Sequence, residues 1–167
     1  MSFSTLLLLF FPVMLIHAGV GDLRTMRIPN HLILILFAGY FVAIPLVGLT
    51  LQDIIWSIAA ASVAFAAGFW GFCHRWMGGG DVKLLTVAAL WLGADNLAPF
   101  ILYTSLFGAM LTILLMVFRR GRLPESWRRR DWIARLHQRD AGVPYGVAIA
   151  AAGITIYMDM PGVAAWL

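Results

Sequence analysis

Residues 75–94 read RWMGGGDVKLLTVAALWLGA. Two cations, Arg75 and Lys83, bracket three glycines and an aspartate, and a short apolar stretch follows over 82–94. About 13 residues of helix rise about 20 Å, against a bilayer core of about 30 Å. Such a helix is tilted with frayed ends, or it begins inside the membrane. The second arrangement needs a water-lined cavity, because irregular backbone at membrane depth must be wet or enclosed by protein. Gly78-Gly79-Gly80-Asp81 suits a broken start of that kind.

The rest of the chain explains why a membrane is in question. Hydrophobic residues make up 62% of the sequence and charged residues 12%, against about 25% charged in ordinary soluble domains. A soluble fold of 167 residues cannot hide that much apolar surface, and a bilayer removes the need. Five further apolar stretches surround the quoted one: 4–20, 31–48 and 53–73 before it, 97–118 and 143–160 after it. These approach the roughly 20 residues that a crossing helix requires. The N-terminal stretch has no Lys or Arg ahead of it, which a secretory signal should have, so it reads as a retained first membrane helix. The expectation is an all-α polytopic membrane protein with six transmembrane helices, one domain over 1–167.

The charges test that count. Arg24 and Arg27 follow the first stretch, and Arg75 and Lys83 flank the junction of the third and fourth. Arg119, Arg120, Arg122, Arg128, Arg129, Arg130, Arg135 and Arg139 lie between the fifth and sixth. With six crossings these regions share one side, and the opposite loops carry only Asp53, Asp95 and Asp159. A positive side is a cytoplasmic side. The pattern predicts a multi-pass protein of the cytoplasmic (inner) membrane, with both termini outside. The net charge of +4 therefore reports topology. The lipid bilayer is the expected partner, and nucleic acid is not. Within the last basic region, Trp132, Ile133 and Leu136 share a face of a short helical pattern over 125–139. It reads either as a helix on an anionic membrane surface or as a basic loop. Small residues in the third and sixth stretches, such as Ala60, Ala64, Gly68, Ala150 and Gly153, read as helix packing.

Acids at a membrane edge are where chemistry is first sought. Asp22 ends the first helix and Asp81 starts the fourth, so the predicted topology sets them at one depth on the cytoplasmic side. Two carboxylates facing one water cannot both ionise cheaply, so they share a proton. One then takes a proton from water while the other polarises a carbonyl. Plainer readings exist: Asp81 as a helix cap, Asp22 as a solvated charge beside Arg24. The glycines favour the chemical reading, since a cap does not need three of them, whereas close approach of a substrate backbone does. Lys83 reads as a carboxylate's electrostatic support or as a marker of the cytoplasmic side. Pro29 and Asn30 read as a helix entry, with Asn30 a candidate cap. Cys73 stands alone, and His17, His31, His74 and His137 have no metal-ligand spacing, so no metal or other cofactor is expected. There is no Gly-x-Ser-x-Gly, HExxH or P-loop motif.

Gly78-Gly79-Gly80-Asp81 resembles the Gly-x-Gly-Asp motif of intramembrane aspartyl proteases, a group that includes presenilins, signal peptide peptidases and type IV prepilin peptidases. The longer GGGDVKLL is similar to the prepilin peptidases among them. Asp22 followed by Ile28-Pro29-Asn30 resembles their first catalytic aspartate and its downstream Ile-Pro-Asn, and Val143-Pro144-Tyr145-Gly146 resembles the Pro-aromatic-Gly that opens their last helix. The resemblance implies catalysis by Asp22 and Asp81, with Gly78, Gly79, Gly80, Lys83, Pro144, Tyr145 and Gly146 shaping the active-site loop or substrate groove. It implies a prepilin or pseudopilin substrate with a basic leader and a hydrophobic helix, cut after a Gly at the cytoplasmic face. Larger prepilin peptidases carry a cytosolic domain with paired cysteines and methylate the new N-terminus. Here about ten residues join the first two helices. The chain resembles the short peptidases of tight-adherence (Flp/Tad-type) pili, which implies no methyltransferase activity. The alternatives are a small membrane transporter, which would want acids near helix midplanes, and a non-catalytic secretion-system subunit, which would not need both aspartates.

Overall fold

The computed structural model describes residues 3–160, and side-chain surroundings from residue 9 onward. The chain ends, whose side the charge pattern predicts, lie largely outside them. The described residues form α1 (Phe3–Thr25), α2 (Asn30–Val47), α3 (Leu51–Cys73), α4 (Gly79–Leu92), α5 (Leu97–Arg120), α6 (Glu125–Arg128), α7 (Asp131–His137) and α8 (Tyr145–Met158), with no strand among them. Each predicted apolar stretch corresponds to one of the longer helices. The breaks have local causes. Gly48 closes α2 at φ 75°, donating its N–H to Ile44 O. Thr50 and Asp53 form a reciprocal cap that starts α3.

The helices α2, α3 and α5 are long and apolar enough to cross a membrane. Their outer faces expose Leu34, Phe41, Val63, Phe69, Ile113 and Val117, which suits lipid and not water. The helices α4 and α8 have 14 residues each, a rise of about 21 Å. The short α4 is the central helix. It is packed by α3, α8, α2 and α5, and eight of its residues are buried on all sides. A helix apolar all round belongs in an interior. Enclosed by protein, α4 has no need to match the bilayer thickness.

Small residues permit this packing. On α3, Ala60, Ala61, Ala64 and Gly68 are buried, and a Cβ on Gly68 would stand 3.1 Å from a Val82 methyl. Between α8 and α1, a Cβ on Gly153 would stand 2.7 Å from Leu15, and one on Gly19 would stand 3.2 Å from Ala150. These are the close helix approaches that small residues allow in membranes.

Two expectations change. The fourth helix begins at Gly79, ahead of the predicted 82, so Gly79 and Gly80 are helical. The backbone bond from Val82 N–H to Gly78 O (3.1 Å) closes that first turn. The basic segment forms α6 and α7, but the apolar side of α7 turns inward. Ile133 and Leu136 are buried, and α7 packs on α5 and α1. Arg119 Nε donates to Leu136 O at 2.8 Å, and an Arg135 guanidinium N–H donates to Arg24 O at 3.1 Å. The protein itself covers the face that the amphipathic pattern offered to lipid.

Candidate active site

Asp22 lies in the last turn of α1 and Asp81 in the first turn of α4. Both line one cavity of about 840 Å³ at the end of the bundle where the basic residues lie. The turn after α1 adds Met26, the α3–α4 junction adds Phe72, Cys73, Arg75, Trp76, Met77 and Gly78, and the approach to α8 adds Gly142, Val143 and Tyr145.

Asp22 is 4% exposed. Its Oδ2 accepts the Gly146 backbone N–H at 2.8 Å. Gly146 sits in the first turn of α8, directly after Tyr145, where amides have no partner within the helix. Asp22 supplies that partner and places negative charge at a helix N-terminus, where the macrodipole favours it. Asp81 Oδ2 accepts the Gly78 N–H at 3.2 Å. Asp81 therefore does cap its helix, from the first turn, and it does so inside the cavity. The two carboxylates line the same cavity, and the Gly146 amide is held by Asp22. Asp22 is buried and Asp81 half-buried at that cavity.

The glycines have specific tasks. A Cβ on Gly146 would stand 2.8 Å from Asp22 Oδ2 and 2.9 Å from Ile28 Cδ1. One on Gly78 would stand 2.9 Å from Asp81 Oδ2, one on Gly79 3.5 Å from the Phe72 ring, and one on Gly80 3.3 Å from Ile28 Cβ. On their Cβ side Gly78, Gly79 and Gly80 meet this chain's own residues, while Gly78 also lines the cavity. Two rim residues, Met26 (φ 55°) and Arg75 (φ 60°), hold left-handed backbone without being glycine. Strain of about 1–3 kcal/mol each is typical of sites that function requires.

The structure brings Asp22, Asp81, Gly78 and Tyr145 together on the cavity, with Gly79, Gly80 and Gly146 packed behind. Pro144 is fully buried at the start of α8. Tyr145 lays its ring against Gly108 of α5, where a Cβ would stand 2.6 Å away. Lys83 does not line the cavity. Its Nζ donates to Asn30 Oδ1 at 2.9 Å, joining the starts of α2 and α4. Asn30 thus makes no cap bond; Pro29 occupies the cap position of α2. Sequence reasoning missed Ile28 as a packing residue, and it missed Arg119, which donates to Leu136 O and Gly142 O at 2.8 Å each. Ile28 stands in the Ile28-Pro29-Asn30 string, which does not by itself reveal its packing role, and no local pattern marks Arg119. Among the described residues no three His, Cys, Asp or Glu side chains cluster as a metal site would.

Residues 9–113 match the model of the type IV leader peptidase family. A prepilin leader peptidase/N-methyltransferase of Bacillus subtilis (strain 168) is 31% identical over 150 residues, 89% of this chain and 53% of that protein. A prepilin leader peptidase/N-methyltransferase of Aeromonas hydrophila is 28% identical over 157 residues, 91% of this chain and 49% of that protein. The chain thus spans about half the length of these relatives. No solved structure matches it significantly. The matched region, nearly two thirds of the sequence, contains both Asp22 and Asp81, and the chain belongs to the type IV leader peptidase family.

Proposed function

We propose that this chain is a membrane aspartyl endopeptidase that removes the basic leader from prepilin-like substrates of the Flp/Tad type. The observation that carries the reading is the meeting of Asp22 and Asp81, from distant parts of the sequence, on one cavity. Membership in the leader peptidase family supports the substrate class. The pair holds one proton. The ionised carboxylate takes a proton from a water molecule, whose oxygen attacks the scissile carbonyl. The protonated carboxyl donates to the carbonyl oxygen, and the tetrahedral intermediate collapses as the leaving nitrogen is protonated. No covalent enzyme intermediate forms.

Six crossings with the basic loops in the cytoplasm suit such a substrate. Its leader stays in the cytosol, its apolar helix stays in lipid, and the scissile bond falls at the boundary. Arg75 at the cavity rim and the cations of α5 to α7 support that orientation. The test is purified protein in lipid vesicles, mixed with a leader-bearing pilin. Release of the leader as a discrete fragment is expected. Intact substrate under all conditions, or ion flux across the vesicle wall in its place, would replace this reading with one of the alternatives.

A further inference from the structure

Ile28 lies between the two halves of the site. Its Cβ stands 3.3 Å, and its amide nitrogen 3.6 Å, from where a Cβ on Gly80 would be. Gly80 directly precedes Asp81. On its other side, Ile28 Cδ1 stands 2.9 Å from where a Cβ on Gly146 would be. The Gly146 N–H holds Asp22. One half-buried residue is therefore seated against the neighbour of one carboxylate and against the Cβ side of the glycine whose amide anchors the other. Both contacts use glycines, so no intervening side chain can give way.

The local chain delivers Ile28 to this place. Thr25 Oγ1 donates to Gly21 O at 2.8 Å, and Met26 N–H donates to Asp22 O at 2.7 Å. Met26 then reverses the chain at φ 55°. Pro29 follows at φ −72°, and a residue before proline is confined to extended backbone. A β-branched side chain has few χ1 choices. A short tether, a turn, a proline and a branched side chain together make a stiff spacer.

We infer that Ile28 is a positioning residue that sets the separation of the Asp22 and Asp81 carboxylates; the inference rests on reading those two as the catalytic pair. Ile28 touches neither water nor substrate in this role. Truncation to Val removes Cδ1 and frees the Gly146 side, while truncation to Ala loosens both sides. Misplacing reacting groups by about 1 Å is enough to cost about 100-fold in rate.

The experiment compares wild type, Ile28→Val, Ile28→Ala and Leu36→Ala, each purified in lipid. Leu36 is fully buried in α2 and serves as an ordinary core truncation outside the cavity. Leader cleavage gives kcat, KM and the pH–rate profile. Infrared titration of the carboxyl bands, assigned with Asp22→Asn and Asp81→Asn, reads the pair without substrate. The expected result is kcat down about 10-fold for Val and about 100-fold for Ala, with KM within about 2-fold. The two carboxyl titration steps draw together as the coupling weakens. Leu36→Ala lowers the melting temperature but leaves the kcat and pH limbs of the inserted protein in place. Wild-type kcat and titration in Ile28→Ala overturn the inference, as does Leu36→Ala reproducing its kinetic change. Should Ile28→Ala fail to insert, Ile28→Val decides on the same criteria. Should wild type itself fail to cleave, the proposed function falls. The infrared titration then still decides whether Ile28 sets the carboxylate spacing.

Discussion

Two helix starts in this molecule use the same device and end differently. At α3, the Thr50 N–H donates to Asp53 Oδ2 at 2.9 Å; at α4, the Gly78 N–H donates to Asp81 Oδ2 at 3.2 Å. Both aspartates reach back three residues to an orphan amide. At α3 the cap residue replies: Thr50 Oγ1 donates to Asp53 Oδ2 at 2.7 Å, and the pair sits exposed. At α4 the cap residue is glycine and cannot reply. Asp81 instead shares its cavity with a second carboxylate, Asp22. Capping therefore does not tell the two aspartates apart. The second acid does, and a distant segment of chain supplies it.

The comparison breaks most visibly by removing charge. Asp22→Asn and Asp81→Asn should each lower leader cleavage by about a thousand-fold or more, since Asn cannot cycle a proton. Both variants should still insert and accumulate. Asp53→Asn should leave the rate per molecule unchanged and cost stability alone, by weakening an exposed cap. Comparable rate losses in all three would mean that capping, and not pairing, is what cleavage needs.

Glycine substitutions probe the same contrast more gently. Gly146→Ala and Gly80→Ala should reduce cleavage by about 10- to 100-fold, because each new methyl displaces Ile28 or Asp22. Gly21→Ala adjoins Asp22 yet meets nothing within 4 Å. It should cleave normally and be more stable by up to about 1 kcal/mol, the helix preference of Ala over Gly. Gly48 is no neutral control for such a series, because its φ of 75° penalises any side chain. Activity of Gly146→Ala equal to that of Gly21→Ala would show that the tight packing is incidental.

The smallest effect expected is at Cys73, which is exposed and lines the cavity. Cys73→Ser should retain the wild-type rate within about 2-fold, since the proposed aspartyl mechanism uses no thiol nucleophile. A bulky thiol reagent should nonetheless inhibit wild type by obstruction, and Cys73→Ser should resist it. Loss of activity in Cys73→Ser would place the sulfur in the chemistry.

Much of this was legible beforehand, for physical reasons. Apolar stretches of fixed length and one-sided cations mark membrane helices regardless of packing, and the observed helices start within a few residues of the expected positions. The spacing of Asp22 from Ile28-Pro29-Asn30, and the glycines before Asp81, marked the cavity. What escaped depends on neighbours. Three consecutive glycines oppose helix by propensity, yet Gly79 and Gly80 are helical because tertiary packing around α4 overrides that cost. Trp132, Ile133 and Leu136 have the pattern of a lipid-facing helix, and periodicity cannot say whether lipid or α5 will cover it. Lys83 stands two residues from Asp81 in sequence, but helix geometry sends it to Asn30.

On the proposed mechanism Asp22 and Asp81 work as one unit holding one proton. The initial rate of leader removal against pH, measured in lipid under subsaturating substrate, tests it most directly. A pair that must be half-protonated predicts a bell, with the rate lost on the acid side when both carboxyls are protonated and on the alkaline side when both are ionised. A rate that rises through a single ionisation to an alkaline plateau would contradict it.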